Sequence, residues 1–118
     1  MPKKKLKIKI DQDLIISDGN YDKVLIFSHG LGDEPSSWIF FANEIKNEIK
    51  NIKIILTKAP NRSVSVNNGM EMSSWFDIKK IPIEANNNEN YEYIQDSVNY
   101  INNIIFDELN KDILPNKI

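Results

Sequence analysis

The stretch Val24-Leu25-Ile26-Phe27-Ser28-His29-Gly30-Leu31-Gly32-Asp33 constrains this chain more than any other. Its apolar opening does not alternate with polar residues, which suits a strand covered on both faces, as in a parallel sheet flanked by helices. The turn that follows holds Gly30, Gly32 and the sole histidine of the chain. Those glycines let backbone amides come close to a ligand. A buried strand delivering a functional loop is the first expectation, and the other segments are read around it.

A chain of 118 residues, 41% hydrophobic and 27% charged, is sized for one domain over 1–118 that buries roughly two thirds of its unfolded surface. A net charge of -2 and a pI near 5.4 lack the clustered basic charge that nucleic acid requires, so that partner is excluded. Without cysteine there is no disulfide framework, thiolate nucleophile, zinc-thiolate site or S-palmitoylation of this chain. No metal and no cofactor are expected. Lys3, Lys4 and Lys5 could open a signal peptide, but Leu6-Lys7-Ile8-Lys9-Ile10 alternates where a signal needs an apolar block. No apolar run approaches the roughly 18 residues of a membrane span. A cytoplasmic location is expected.

Leu6, Ile8 and Ile10 alternate with lysines, and Leu14-Ile15-Ile16 resumes the apolar pattern after Asp11-Gln12-Asp13, so residues 1–22 read as an edge hairpin. Its lysines form a solvated face that deters aggregation, with a membrane-surface role as the minor alternative. Residues 23–60 read as a right-handed βαβ unit. Within it Glu34-Pro35-Ser36-Ser37 starts a helix with Ser36 or Ser37 as N-cap, and the helix runs to about Lys50. Trp38, Phe41, Ile45 and Ile49 share one face of that helix, so Trp38 reads as core rather than ligand contact. Ile52 to Thr57 is the second strand.

Residues 61–77 read as a hairpin. A two-residue Asn68-Gly69 turn would set Val66 opposite Glu71. A three-residue loop with Gly69 left-handed pairs Val66 with Met70 and Val64 with Met72, and is the expected form. On pattern alone such a hairpin caps the core, although soft methionine surfaces also adapt to flexible apolar ligands. Ile81-Pro82-Ile83 and the run Asn86 to Asn90 form a polar loop without chemistry. Residues 88–111 form a long helix with Tyr91, Ile94, Val98, Ile101, Ile105 and Leu109 on one face. Leu114 to Ile118 reads as a loop and the first residue of a further strand.

His29-Gly30-Leu31-Gly32-Asp33, with Trp38 downstream, resembles the oxyanion loop of the acyl-protein thioesterase and phospholipase/carboxylesterase branch of the α/β-hydrolases. Ala59-Pro60, Arg62-Ser63-Val64 and Met72-Ser73-Ser74-Trp75-Phe76-Asp77 follow in family order and spacing. The resemblance covers Lys23 to Ile118, the N-terminal half of such an enzyme. It implies a partial, truncated α/β-hydrolase sheet, mostly parallel with an N-terminal edge hairpin, flanked by two long helices. Ser63 and Ser73 stand where the family commonly has proline.

A serine hydrolase needs a nucleophile on a strand-to-helix elbow, a histidine base, an orienting acid and two oxyanion amides. The sequence has no Gly-x-Ser-x-Gly; in the resembling family that elbow follows a strand beginning near Lys117-Ile118. The resemblance assigns the first oxyanion donor to the Leu31 N–H and loop-shaping roles to His29, Gly30, Gly32 and Asp33. It also places Val64, Val66, Met70, Met72 and Trp75 along an acyl-chain tunnel, which raises the ligand reading of the hairpin above capping. The implied whole is a hydrolase of acyl thioesters or carboxylic esters, of the protein-depalmitoylating or lysophospholipid type, with this chain its catalytically incomplete N-terminal portion. The rival reading is a non-catalytic module that holds a lipid or a partner chain. The implied partners are an acylated protein or lipid ester, a membrane surface touched peripherally, and a complementing C-terminal half or a second copy along the strand edge.

Overall fold

The computed structural model describes residues 5–8 (backbone), 13–83 and 91–118. Its centre is a four-stranded sheet in the order β1-β2-β4-β3. β1 (Lys5–Ile8) and β2 (Leu14–Ser17) form the expected N-terminal hairpin, with Leu6 opposite Ile16 and Ile8 opposite Leu14. The expected solvated lysine face, Ile10 and the loop Asn86 to Asn90 lie outside the described residues. β4 (Ile52–Thr57) runs antiparallel to β2 and parallel to β3 (Lys23–Ser28), with Leu25 beside Ile54 and Phe27 beside Leu56. The sheet is therefore mixed, its parallel part beginning where the hairpin ends.

Side chains on a strand point alternately to the two faces, and the two core clusters follow that alternation. Leu14, Ile16, Ile52, Ile54 and Leu56, with Leu25 and Phe27, pack on Ala42, Ile39 and Ile45 of α1 (Ile39–Glu48). Val24, Ile55, Ile15 and Ile26 face the other way, toward Ile104 of α2 (Tyr91–Leu109), Ile113 and Ile118. Helices on opposite faces and strands on both edges leave every residue of β4 buried. Burying side chains such as Ile54 and Leu56 contributes about 1.5 to 3 kcal/mol each. β3 stands at the sheet edge, and Leu25, Ile26 and Phe27 are only half-buried.

The start of the first helix differs from the expectation. A 3-10 turn over Pro35–Trp38 precedes α1, neither end carries a side-chain cap, and the Ser36 hydroxyl donates to the Glu34 carboxylate at 2.6 Å. Pro35 fixes the first turn. The Trp38 indole N–H reaches back to Asp33 Oδ2 at 2.9 Å and tightens it. Trp38 itself packs against the first core cluster, as expected.

The hairpin forms in a different register. β5 (Asn61–Val64) pairs with β6 (Met70–Ser73) so that Val64 faces Met70 and Arg62 faces Met72, and Ser65–Asn67 leave the ladder as a 3-10 turn. The expected pairs Val66 with Met70 and Val64 with Met72 do not form. Asp77 is the reason. Its carboxylate accepts the Ser65 N–H at 2.8 Å and the Ser65 hydroxyl at 2.5 Å, while the Val66 N–H goes to the Ile78 carbonyl. With the turn drawn toward 77–78, the chain needs left-handed backbone at both Asn68 (φ 59°) and Gly69 (φ 76°) to return.

The expected apolar row of α2 is partly covered, with Ile94, Ile101, Ile105 and Leu109 half-buried. Ser97, Tyr100, Ile104 and Glu108 point inward, at spacings of three and four residues, whereas Tyr91 is 72% and Val98 46% exposed. Polar contacts choose this face. Glu108, wholly buried, accepts from Lys53 Nζ at 2.5 Å and from the Tyr21 hydroxyl at 2.7 Å. A 3-10 turn over Pro115–Lys117 follows α2, and Ile118 packs on the second cluster.

Candidate functional site

The C-terminal ends of the parallel strands β3 and β4 carry the site, which is where ligands bind in open α/β sheets. At the end of β3 the Ser28 hydroxyl lies 2.7 Å from Thr57 Oγ1, which itself donates to the Phe27 carbonyl. The paired strand ends are thus tied before the loop begins.

His29 is buried and holds the loop from within. Its Nε2 lies 3.1 Å from the Ala59 N–H and accepts from it, which leaves the ring proton on Nδ1 to donate to the Gly30 carbonyl at 2.7 Å. That fixes one neutral tautomer, since the two ring nitrogens play opposite roles. Both nitrogens are committed, so this imidazole has no lone pair for a nucleophile. The His29 carbonyl accepts the Trp75 indole N–H at 2.7 Å, and the two rings lie 5.4 Å apart.

Next along the loop, Gly32 donates its N–H to the Ser73 carbonyl at 2.8 Å and adopts φ 76°. A side chain there would be strained, and its Cβ would stand 3.7 Å from Met72 Sδ. Asp33 ends the loop. It accepts from the Ser37 hydroxyl, the Glu34 N–H and the Trp38 indole, which together hold its carboxyl below the usual range. Between these fixed neighbours the Leu31 N–H meets no acceptor among the described residues, and the Leu31 side chain is 40% exposed. An unpaired amide on a backbone pinned at both sides is the arrangement that stabilises a developing oxyanion.

The five hairpin residues expected to contact an acyl chain differ in exposure. Val64 is wholly buried, Val66 and Met72 are half-buried, Met70 is exposed, and Trp75 stands behind the loop with its ring stacked on Tyr100 at 6.0 Å. Trp75 also borders a second feature, a groove of about 410 Å³ at the C-terminal end of β3 lined by Ser28, Trp75, Ser97, Val98, Ile101 and Asn102. The groove thus lies between the end of β3 and the α2 residues Ser97 to Asn102.

Sequence reasoning missed several residues that shape the site. Ser97 donates to the Trp75 carbonyl at 2.6 Å, Tyr100 donates to Asp13, and Asp13 also accepts the Lys58 N–H at 2.9 Å. Burial, then Asp13, raises the Tyr100 hydroxyl well above its ordinary pKa. Tyr100 and Asp13 lie 87 positions apart, so no local pattern announces them. A buried lysine and glutamate were legible in principle, because Lys53 interrupts an apolar strand and Glu108 lies in the last turn of the facing helix.

Known proteins resemble this chain in sequence and fold. A profile of the phospholipase/carboxylesterase family matches residues 11–118. Acyl-protein thioesterase 1 of Yarrowia lipolytica is 36% identical over 96 residues, which cover 80% of this chain and 42% of that protein. The crystal structure of Arabidopsis thaliana SOBER1 superposes with a TM-score of 0.69 at 26% identity, over 79% of this chain and 45% of that one. Zea mays acyl-protein thioesterase 2, at 22% identity and a TM-score of 0.59, shares the fold. The sheet and helices are those of an α/β-hydrolase, of which the chain represents a part. It belongs to the phospholipase/carboxylesterase family and spans about two fifths of the length of the curated relatives it matches. Among the described residues no helix is long and apolar enough to cross a membrane.

Proposed function

We propose that this chain supplies the oxyanion-loop portion of a cytoplasmic serine hydrolase that cleaves acyl thioesters or carboxylic esters, with an acylated protein or a lipid ester as substrate. The observation that carries this reading is the free Leu31 N–H, flanked by Gly30 and Gly32, whose own polar groups are bonded to His29 and Ser73. It would act as one oxyanion donor. Removal of a single such donor costs on the order of 3 kcal/mol of transition-state stabilisation, yet a donor accelerates nothing unless a nucleophile is present. The sequence holds no Gly-x-Ser-x-Gly, and its one histidine is committed to the loop. Nucleophile, acid and base would come from a complementing segment whose strand pairs with the edge of β3. Met70, Met72, Val66 and Trp75 would meet the acyl chain with Val64 beneath them, and the exposed Met70 tip would touch a membrane surface.

A non-catalytic module that holds a lipid or partner chain is the alternative, favoured by the apolar groove at the end of β3. Reading the coding region past Ile118 separates the two. A Gly-x-Ser-x-Gly within about ten codons, one strand length further on, is the expected result; a stop codon with nothing beyond favours the binding module. Under either reading the chain alone hydrolyses no palmitoyl thioester and takes up no fluorophosphonate. Labelling of Ser28, Ser36, Ser37, Ser73 or Ser74 would overturn that.

A further inference from the structure

We infer that Lys58 is a positioning residue for the Leu31 amide, acting through Ala59 on one side of the loop and Ser73 on the other. This rests on the reading of Leu31 as an oxyanion donor. Lys58 directly follows β4, where its N–H is taken by Asp13 Oδ1 at 2.9 Å. Its ammonium turns back and donates to the Ala59 carbonyl at 2.7 Å and to Ser73 Oγ at 2.8 Å. Those two residues are the ones that hold the loop. The Ala59 N–H bonds His29 Nε2, whose ring fixes the Gly30 carbonyl, and the Ser73 carbonyl receives the Gly32 N–H. One ammonium therefore sets the distance between the two anchors of Leu31, one on the sheet and one on the hairpin.

The geometry requires two donors on one centre at the tip of a long side chain. A methionine would keep the stem and lose both bonds. An arginine retains several donors on a fork and should restore both ties. Ser73 sits at the end of β6, where proline would offer neither a hydroxyl nor an N–H, so a serine here is what makes the lysine tie available.

Amide hydrogen exchange of the 118-residue chain, read residue by residue, tests the inference without any turnover. Lys58→Met should speed exchange at Gly32 and at Ala59 by about tenfold, as expected for loss of a charge-assisted hydrogen bond, while Ile54 and Ile55 within β4 keep their rates. Lys58→Arg should return Gly32 and Ala59 toward the starting rates, which a loss of general stability would not do. Ser73→Ala removes only the hydroxyl end of the tie. It should speed Gly32 and leave Ala59 unchanged, and it carries the test if Lys58→Met unfolds. Unchanged Gly32 exchange in both Lys58→Met and Ser73→Ala, or a rise matched by Ile54 and Ile55, would overturn the inference. Since no hydrolysis is measured, failure to find a nucleophile elbow past Ile118 would sink the oxyanion reading and leave the Gly32 result to stand separately.

Discussion

The buried contact between β4 and α2 gives the sharpest stability prediction. Lys53 and Glu108 retain 9% and 1% of their side-chain exposure, and Glu108 accepts from Lys53 and from Tyr21 and forms a longer ion pair, 3.7 Å, with the half-exposed Lys111. Glu108→Gln leaves the Lys53 ammonium buried without a counter-charge, a change that costs roughly 3 to 5 kcal/mol. Lys53→Met leaves the carboxylate with Tyr21 and Lys111, so its cost should be nearer the 1 to 3 kcal/mol of a lost charged hydrogen bond. Replacing both, as Lys53→Met with Glu108→Leu, removes the desolvation of two ions together and should be close to neutral. Domains hold only about 5 to 15 kcal/mol in total, so Glu108→Gln alone should visibly shift a urea transition. The assay is urea unfolding followed by Trp38 and Trp75 fluorescence at matched protein concentration. A Glu108→Gln variant within about 1 kcal/mol of the parent, or a double variant as unstable as Glu108→Gln, would refute the reasoning.

Other outcomes follow from the site and its edges. The isolated chain should elute as an associated species in size exclusion with light scattering, because β3 presents unpaired backbone and half-buried Leu25, Ile26 and Phe27; a monodisperse monomer with a cooperative melt would contradict this. Met70→Asp should abolish retention of an acyl probe, and unchanged retention would make the hairpin a cap alone. Burial would raise the Asp77 carboxyl, but hydrogen bonds from Ser65 outweigh it and hold its pKa below the ordinary 3.8. A lowered folded-state pKa adds stability above the unfolded value and loses it as pH falls through the folded one. Protection of the Val66 amide, taken relative to its intrinsic exchange rate at each pH, should therefore hold from neutral pH down through the ordinary carboxylate range and fall only below it, and lost protection already near pH 6 would count against the Asp77 anchor.

The sequence made the strands legible wherever apolar content and strand length agreed. Val24 to Phe27 and Ile52 to Thr57 appear as β3 and β4, and the N-terminal hairpin pairs as its alternation implies. What failed was set by side chains that reach across the fold. Asp77 pulls Ser65 out of the hairpin ladder from twelve residues away, and a turn-length rule knows nothing of it. The helix entry tightened because Trp38 bonds Asp33, while serine-capping preference alone predicted an ordinary start. The inward polar contacts of α2 were not legible for a related reason. Apolar periodicity marks where a helix could bury surface, but Ser97, Tyr100 and Glu108 were selected by fixed partners on the sheet and on the hairpin-side segment. In the loop, Leu31 and its glycines were readable from local motif, whereas Lys58, Ser73 and Asp13 became visible only with the chain folded.

The polar inward face of α2 also determines the order in which the molecule can assemble. A helix docked by apolar side chains alone tolerates a roll about its axis, since a neighbouring ridge offers nearly the same contact. A shift of one residue turns a helix by about 100° and would strand Ser97, Tyr100 and Glu108 away from Trp75, Asp13 and Lys53 together. Those partners lie 22, 87 and 55 positions away in sequence, so none exists as a docking point until the β3-α1-β4 unit and the hairpin have formed. Contacts of such long range form slowly, because loop closure must come first. The helix should thus join last and in one orientation, acting as a check that sheet, oxyanion loop and hairpin are already in place.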